Sequence, residues 1–483
     1  MRRTARITVL TAGAGVLACG ATAAVAVAAT GGGPGGGSGG GPGGQGTAVS
    51  AVAGRTVLAS SPADLQKKVN AARPGDTVLL RDGSYTLDEP VAITGRAGTK
   101  RARITVGAQH TGKVVLSGKG GITLSRSPYV TLSGFVFHTR QAPAVPADSP
   151  GVRLTRNTFR LAEPSGKNNW VSVEADDVQV DHNTFAHKRS QGVYLQINGP
   201  GKTMAQRTHV NANLFSDHGY GGSNGGECVR LGYGDKGAVP AHALVEGNLL
   251  DRANGDVEGI SVKSSNNVIR YNTFRNSKGW IVLRFSNDSQ VYGNHLFGTS
   301  GIRFYGRGHD IHTNYVEGGV TVGGGTSDPN AYWPADHVRF THNTVLGQVK
   351  SDHSGGGKAH DLTFADNVVR TAKAPAVSLS VLNSAFAGNL FFAPSAGAPG
   401  VPASGYRFAD PKLKASGGFQ HIVKGSPAVN AAKNPFPGTG NGVGADIDGQ
   451  PAAGRADIGA DELSTARVTR TPLTTADVGP SAR

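Results

Sequence analysis

Apolar and polar residues alternate along most of this chain in short runs. The pattern is plain in Asn266-Asn267-Val268-Ile269-Arg270-Tyr271-Asn272-Thr273-Phe274, and again in Ser289-Gln290-Val291-Tyr292-Gly293-Asn294-His295-Leu296-Phe297. Alternation with period two over such lengths predicts short strands, and the intervening Gly, Asn and Asp predict turns. A unit of Asn, any residue, then an apolar residue recurs at Asn157, Asn183, Asn213, Asn248, Asn272, Asn294, Asn314, Asn343, Asn367 and Asn389. The gaps are 26, 30, 35, 24, 22, 20, 29, 24 and 22 residues, so a basic repeat of 20–24 carries insertions at some turns. Leucine-rich repeats share that period, but their leucine spacing and helices are missing. Propeller blades need about 40 residues. What fits is an all-β solenoid, the parallel β-helix: three short strands per coil, apolar side chains inward, one coil per repeat.

Under that reading the repeated asparagines are architecture. Their amides bond to the backbone and to the next coil, and Asn tolerates the left-handed turn conformation. Phe159, Phe185, Phe215 and Phe274 are expected to stack inside. Ser61-Pro62-Ala63-Asp64 predicts a helix start, with Ser61 as N-cap and Pro62 at the first helical position. Leu65, Val69 and Ala72 give that short helix an apolar face. Thr77-Val78-Leu79-Leu80 follows as a strand and Asp82-Gly83 as a turn. Such a helix suits a cap over the first coil, whose edge is otherwise open. The expected domain runs from 50 to 463 and ends in loop-rich coils, with 464–483 as a disordered tail. The two largest gaps fall just before and within the segment holding Asn224, Gly225, Gly226 and Glu227. Extra loop length on a rigid solenoid usually builds a binding face.

Composition adds context. Of 483 residues, 72 are Gly and only 25 Pro, which favours tight turns over collagen or disorder. The formal charge of +15 attracts polyanions without choosing among nucleic acid, acidic polysaccharide and anionic membrane. Nucleic acid is disfavoured, because the charges are not interleaved with a stacking platform of aromatics. Arg2, Arg3 and Arg6, then an apolar run from Ile7 to Ala29, read as an export signal over 1–29. A retained anchor and lipidation at Cys19 are the alternatives. Residues 30–49 form a Gly-rich linker. The expectation is a secreted monomer without stable membrane association. Cys228 would be its lone cysteine, so the core and hydrogen bonds must supply the stability.

The chemistry concentrates in Ala253-Asn254-Gly255-Asp256-Val257-Glu258-Gly259-Ile260-Ser261-Val262-Lys263-Ser264. Asp256 and Glu258 are two apart and on a strand point the same way. Two carboxylates so placed repel unless a cation lies between them. Asn224 precedes Asp256 by about one coil plus an insertion. With Glu258 they offer one amide and two carboxylate oxygens, a set suited to calcium. Glu227 is a further candidate ligand or substrate contact. Arg284 follows Lys263 by about one coil, which stacks the two on neighbouring rungs roughly 5 Å apart. On a polyuronide, a cation that neutralises the substrate carboxylate acidifies the adjacent carbon-bound proton. Lys263 is then the base if its pKa falls well below about 10.4, and Arg284 supplies positive charge to the departing oxygen. Arg303, Tyr305, Arg307 and His309 on the next rungs extend the wall as substrate contacts. Lys188 and Arg230, with His187 and His218, extend it the other way. Of the tryptophans, Trp170 and Trp333 suit sugar stacking or the core, and Trp280, beside Gly279, reads as core.

The run from Gly255 to Ser264, the downstream Val282-Leu283-Arg284 and the Asn224-Gly225-Gly226-Glu227 loop resemble polysaccharide lyase family 6, which comprises alginate lyases and the dermatan-sulfate-cleaving chondroitinase B. The resemblance covers roughly residues 50–463. It implies a right-handed parallel β-helix that cuts uronate polymers by β-elimination, with alginate the first candidate and dermatan sulfate the second. It also implies Lys263 and Arg284 as the catalytic pair, and calcium held by Asn224, Asp256 and Glu258. Three positions depart from the family pattern: Asp256 stands for Glu, Gly259 for a bulkier aliphatic residue, and Phe285-Ser286 for His-Gly. A non-catalytic polysaccharide-binding protein is the alternative of another class.

Overall fold

Three-residue strands such as Gln179–Asp181 and Thr184–Ala186 are too short to stand alone, and their stability comes from stacking on the same strands of the coils above and below. The computed structural model describes residues 54–163, 166–222, 224–326, 332–433, 444–452 and 454–483. The expected export signal and Gly-rich linker lie outside these. The strands gather into two 14-stranded sheets and one 10-stranded sheet, in which each strand neighbours its counterparts in the adjacent coils. Pairing is parallel throughout these three sheets, as in Gln179↔His209, Thr184↔Leu214 and Leu195↔Val229. This is the right-handed parallel β-helix. The hand is that of nearly all parallel crossover connections.

The first sheet runs from Thr56–Ala59 to Ala385–Ala387, the second from Gly83–Leu87 to Tyr406–Phe408, and the third from Ala144–Val145 to Val377–Ser378. Helix α1 (Pro62–Asn70) packs at the N-terminal end, with Leu65 and Val69 buried and Ser61 Oγ accepting from Asp64 N. Among the described residues, no helix is long and apolar enough to cross a membrane.

All ten repeat asparagines are buried. Each of the first nine donates its backbone N–H to the Oδ1 of the next, as Asn248 does to Asn272 at 3.1 Å and Asn272 to Asn294 at 3.0 Å. The left-handed backbone, however, falls on the residue before the asparagine. Arg156, His182, Tyr271 and Thr313 have φ of 55°, 53°, 56° and 54°. The asparagine instead spends its side chain along the stack, which fixes the corner between the first and second sheets. Inside, Phe137, Phe159, Phe185 and Phe215 stack at centroid spacings of 5.1, 4.8 and 4.9 Å. Leu250 takes the next place, so Phe274 stands one coil beyond the break.

Residues 464–483 are not a free tail. Leu473 N donates to Thr273 Oγ1 at 2.9 Å, Gly479 N to Ala212 O at 2.9 Å, and Arg156 Nη1 to Pro480 O and Ala482 O at 2.6 and 2.8 Å. The segment runs back over earlier coils as a strap. Backbone groups make most of these bonds, so its polar sequence carried no sign of them.

Candidate active site

Four consecutive strands of the third sheet build the site: Val229–Gly232, Glu258–Lys263, Trp280–Leu283 and Ile302–Phe304. Their register places Arg230 beside Ser261, Ser261 beside Val282, and Val282 beside Arg303. Ile260, Val262 and Leu283 face the core and are fully buried, so the alternate residues face outward. The register shifts between Glu258 and Ile260. Gly259 sits at this bulge because a Cβ there would lie 2.8 Å from the Phe274 ring and 3.2 Å from Gly279 Cα. The wall is therefore tight at Gly259, with Phe274 filling the space that a side chain would need. After the bulge, Glu258 shares a side with Ser261, whose Oγ donates to Glu258 Oε2 at 2.5 Å.

Glu258 is the hub. Its Oε1 accepts from Arg284 Nη1 at 3.1 Å and Arg303 Nη2 at 2.9 Å, and its Oε2 lies 3.9 Å from Lys263 Nζ. On the other side, Glu227 Oε1 lies 3.4 Å from Lys263 Nζ and 3.5 Å from Arg230 Nη1. Lys263 thus sits between two carboxylates. Burial pushes its pKa below the ordinary lysine value; Glu258 and Glu227 oppose this, and Arg284 and Arg230 add to it. Arg284 moves the other way: burial alone would lower its pKa, but Glu258 and Tyr332 outweigh it. The guanidinium stays charged and lies over the Tyr332 ring, 5.1 Å from its centroid.

Asp256 does not share the strand with Glu258. It lies in the preceding turn, where Oδ2 accepts from Gly225 N at 2.8 Å and Gly226 N at 3.3 Å, and Oδ1 accepts from Glu258 N at 3.1 Å. Asn224 is exposed at the loop edge, and its carbonyl accepts from Gln191 Nε2. Asp256 and Glu258 are thus already engaged, and the carboxylate oxygen left open to a hard cation on this wall belongs to Glu227. Burial first, then Glu227 and Glu258, raise the Asp256 pKa, which marks crowded negative charge. Glu227 Oε2 is buried without a hydrogen-bond partner, as are the donors Arg284 Nε and Arg303 Nε. Among the described residues, groups of three His, Cys, Asp or Glu side chains with ligand atoms within 4.8 Å of one another lie away from this wall, at Asp336, His360 and Asp361 and at His421, Asp448 and Asp461.

The family profile of chondroitinase B matches residues 59–323, more than half of the chain. The chain belongs to the chondroitinase B family, polysaccharide lyase family 6. The solved PL6 alginate lyase AlyGC is 26% identical with a TM-score of 0.69, over 77% of this chain and 56% of that one. A mutant of AlyGC matches at 24% identity and TM-score 0.71, over 88% and 58%. This family member therefore spans little more than half the length of those two chains. A mannuronic-acid-specific family 6 lyase from human gut microbiota shares the fold at 24% identity and TM-score 0.62, over 73% and 90%. No curated protein matches.

Relative to the family pattern read from the sequence, Phe285 replaces a histidine after the arginine. Its ring stacks on Tyr332 at 5.2 Å, and Tyr332 also meets Tyr305 at 4.7 Å. An aromatic wall beside Arg284 takes the histidine's place. Several expected contacts belong to the scaffold instead. Lys188 is fully buried, with Nζ 2.5 Å from Glu163 Oε1. His218 bonds to Gly192 O, and His187 to Asp217. His309 is buried against Tyr305 O, and the Tyr305 hydroxyl donates to Asp352 Oδ2. Arg307 is exposed on the following turn. The extended row of cations thus shrinks to Arg230, Lys263, Arg284 and Arg303. Lys188, His218 and His309 turn inward to a carboxylate or carbonyl that takes their donors, whereas His187 and Arg307 stay exposed away from the four. Sequence reasoning missed Ser261 and Tyr332. Ser261 was findable, standing two residues before Lys263 on the same face. Tyr332 lies in the insertion that widens one repeat to 29 residues, where spacing carries no register.

Proposed function

We propose that this protein is a secreted, monomeric polysaccharide lyase that cleaves uronate polymers by β-elimination, with alginate as its substrate. One observation carries the reading: a desolvated lysine and a charged arginine meet on one carboxylate, Lys263 Nζ at 3.9 Å and Arg284 Nη1 at 3.1 Å from Glu258. The neutral Lys263 amine takes the C5 proton of a uronate. The electron pair left on C5 forms the C4=C5 double bond, the C4–O glycosidic bond breaks, and the departing oxygen takes a proton from a water polarised by the Arg284 guanidinium, leaving hydroxide that the protonated Lys263 neutralises. Arg230 and Arg303 orient the acidic polymer, and Glu227 holds Lys263 in place. Asn224, Asp256 and Glu258 would hold calcium, whose chemistry is to cancel the substrate carboxylate's charge.

Family membership and the alginate lyases among the similar structures support this substrate. Dermatan sulfate is the second reading, supported by the family profile's own name. The test incubates the protein with alginate, dermatan sulfate and pectate and follows the absorbance of unsaturated ends. Alginate is expected to give the fastest rise, and a chelator to slow it. Lys263→Ala is expected to lower the rate by roughly 10²–10⁴-fold while sparing binding. New reducing ends without that absorbance would mean hydrolysis. Binding without either product would mean a non-catalytic polysaccharide-binding protein.

A further inference from the structure

A cavity of about 440 Å³ continues the groove past Arg303, lined by Val257, Trp280, Lys350, Asp352 and His353 among others. Trp280 is half-buried, so it lines this cavity and is not sealed in the core as its neighbour Gly279 suggested. Its ring lies against Gly301, where a Cβ would come within 3.0 Å of it. Trp280 N also donates to Val257 O at 2.8 Å, and the Val257 side chain is 55% exposed at the rim. An indole with an exposed valine beside it offers an apolar bed for a ring that has both polar edges and C–H faces.

The charges are just as particular. Arg303 Nη2 is occupied by Glu258. Asp352 accepts from the Tyr305 hydroxyl at 2.5 Å and from Ser354 N at 2.9 Å. Lys350 is exposed and has no ion-pair partner among the described residues. It stands in the outward column of Arg303, through Arg303↔Thr321 and Thr321↔Lys350, hence two rungs or roughly 10 Å along the groove. Beside Arg303, which is paired through Nη2 with Glu258, the cavity therefore presents Lys350 as a cation without an ion pair next to the fixed carboxylate of Asp352.

We propose that this cavity is a sugar subsite beyond the reaction centre, where Trp280 stacks on a pyranose face and Lys350 takes a single uronate carboxylate. Asp352 repels a polymer that brings sulfate there as well. The subsite selects a carboxylated, unsulfated chain. This inference rests on the lyase reading above and narrows its substrate class.

The test uses full-length protein and alginate oligomers of defined length, with dermatan sulfate oligosaccharides for comparison. Trp280→Ala is expected to raise KM about tenfold on long oligomers, with kcat within about twofold and no change on the shortest oligomer cleaved. Trp280→Phe is expected to keep most of the affinity. Lys350→Gln is expected to raise KM similarly and Lys350→Arg to restore it, while Asp352→Asn narrows the preference against sulfated oligomers. An unchanged KM in Trp280→Ala, or a loss equal at every length, would overturn the subsite. If the wild-type protein releases no unsaturated ends, the lyase reading falls and the subsite is judged by calorimetry. About tenfold weaker binding of a long alginate oligomer by Trp280→Ala then supports it, and equal binding overturns it.

Discussion

At Lys263 the fold sets an amine where its charge is costly. Burial lowers the pKa, so proton loss moves below the ordinary lysine value of 10.5. The sign for stability follows: between the folded and unfolded pKa the unfolded chain binds the extra proton, so this residue's penalty is full at lower pH and disappears as pH rises. The sign for activity is the same, because the free amine is the base. Turnover is expected to climb with pH, with a midpoint below 10.5. Glu227→Gln removes a carboxylate that holds the pKa up, and should move that limb to lower pH. A kcat/KM profile over pH measures both, and an unmoved limb would remove Glu227 from this role. A different residue-scale effect belongs to the ladder. Asn272 accepts from Asn248 N at 3.1 Å and donates to Val245 O and Arg270 O. Asn272→Ala leaves buried groups without partners and is expected to cost about 2–4 kcal/mol, read from the urea midpoint.

Among the elements, the bulged strand Glu258–Lys263 joins fold to chemistry. Alternation predicted a strand here, yet all six residues are buried. Neighbouring side chains and loops cover the outward face, a tertiary effect that strand pattern cannot carry. Gly259 makes the bulge tolerable by leaving its space to Phe274. Gly259→Ala is expected to destabilise the protein by about 1–3 kcal/mol through overpacking. It should also reduce turnover, because the bulge aims Glu258 at Arg284 and Arg303. Thermal unfolding and the elimination assay read the two effects, and normal behaviour in both would remove the steric role of this glycine. Helix α1 is the opposite case. Ser61, Pro62, Leu65 and Val69 do locally what their sequence implied, since capping and amphipathicity act within one element.

On the scale of the whole molecule, the strap 464–483 ties late sequence to early coils. A polar segment without apolar periodicity gave no reason to expect order. Its anchors, at Thr273, Ala212 and Arg156, are backbone and side-chain partners spread over distant coils. Deleting 464–483 is expected to lower the melting temperature by a few degrees while leaving kcat near its full value, because the strap's contacts lie on the second sheet and its corner with the first, not on the third sheet. Unchanged melting would mean that these bonds add nothing to stability.

The repeat of ten asparagines determined the coil, its period and the stack, because each repeat meets the same partner at every rung. Spacing also placed Lys263 and Arg284 on neighbouring rungs, since one coil has a fixed length. Which charged residues face the groove was decided only by the tertiary structure. Lys188 carries the same side-chain chemistry as Lys263, and His309 is likewise a potential cation, but the half-buried Glu163 and a backbone carbonyl claimed them. Asp256 kept its distance from the strand because two glycine amides of the neighbouring loop needed an acceptor. Periodicity is a property of the chain, whereas the partner of a polar group is set by whatever the coil above and below brings within reach.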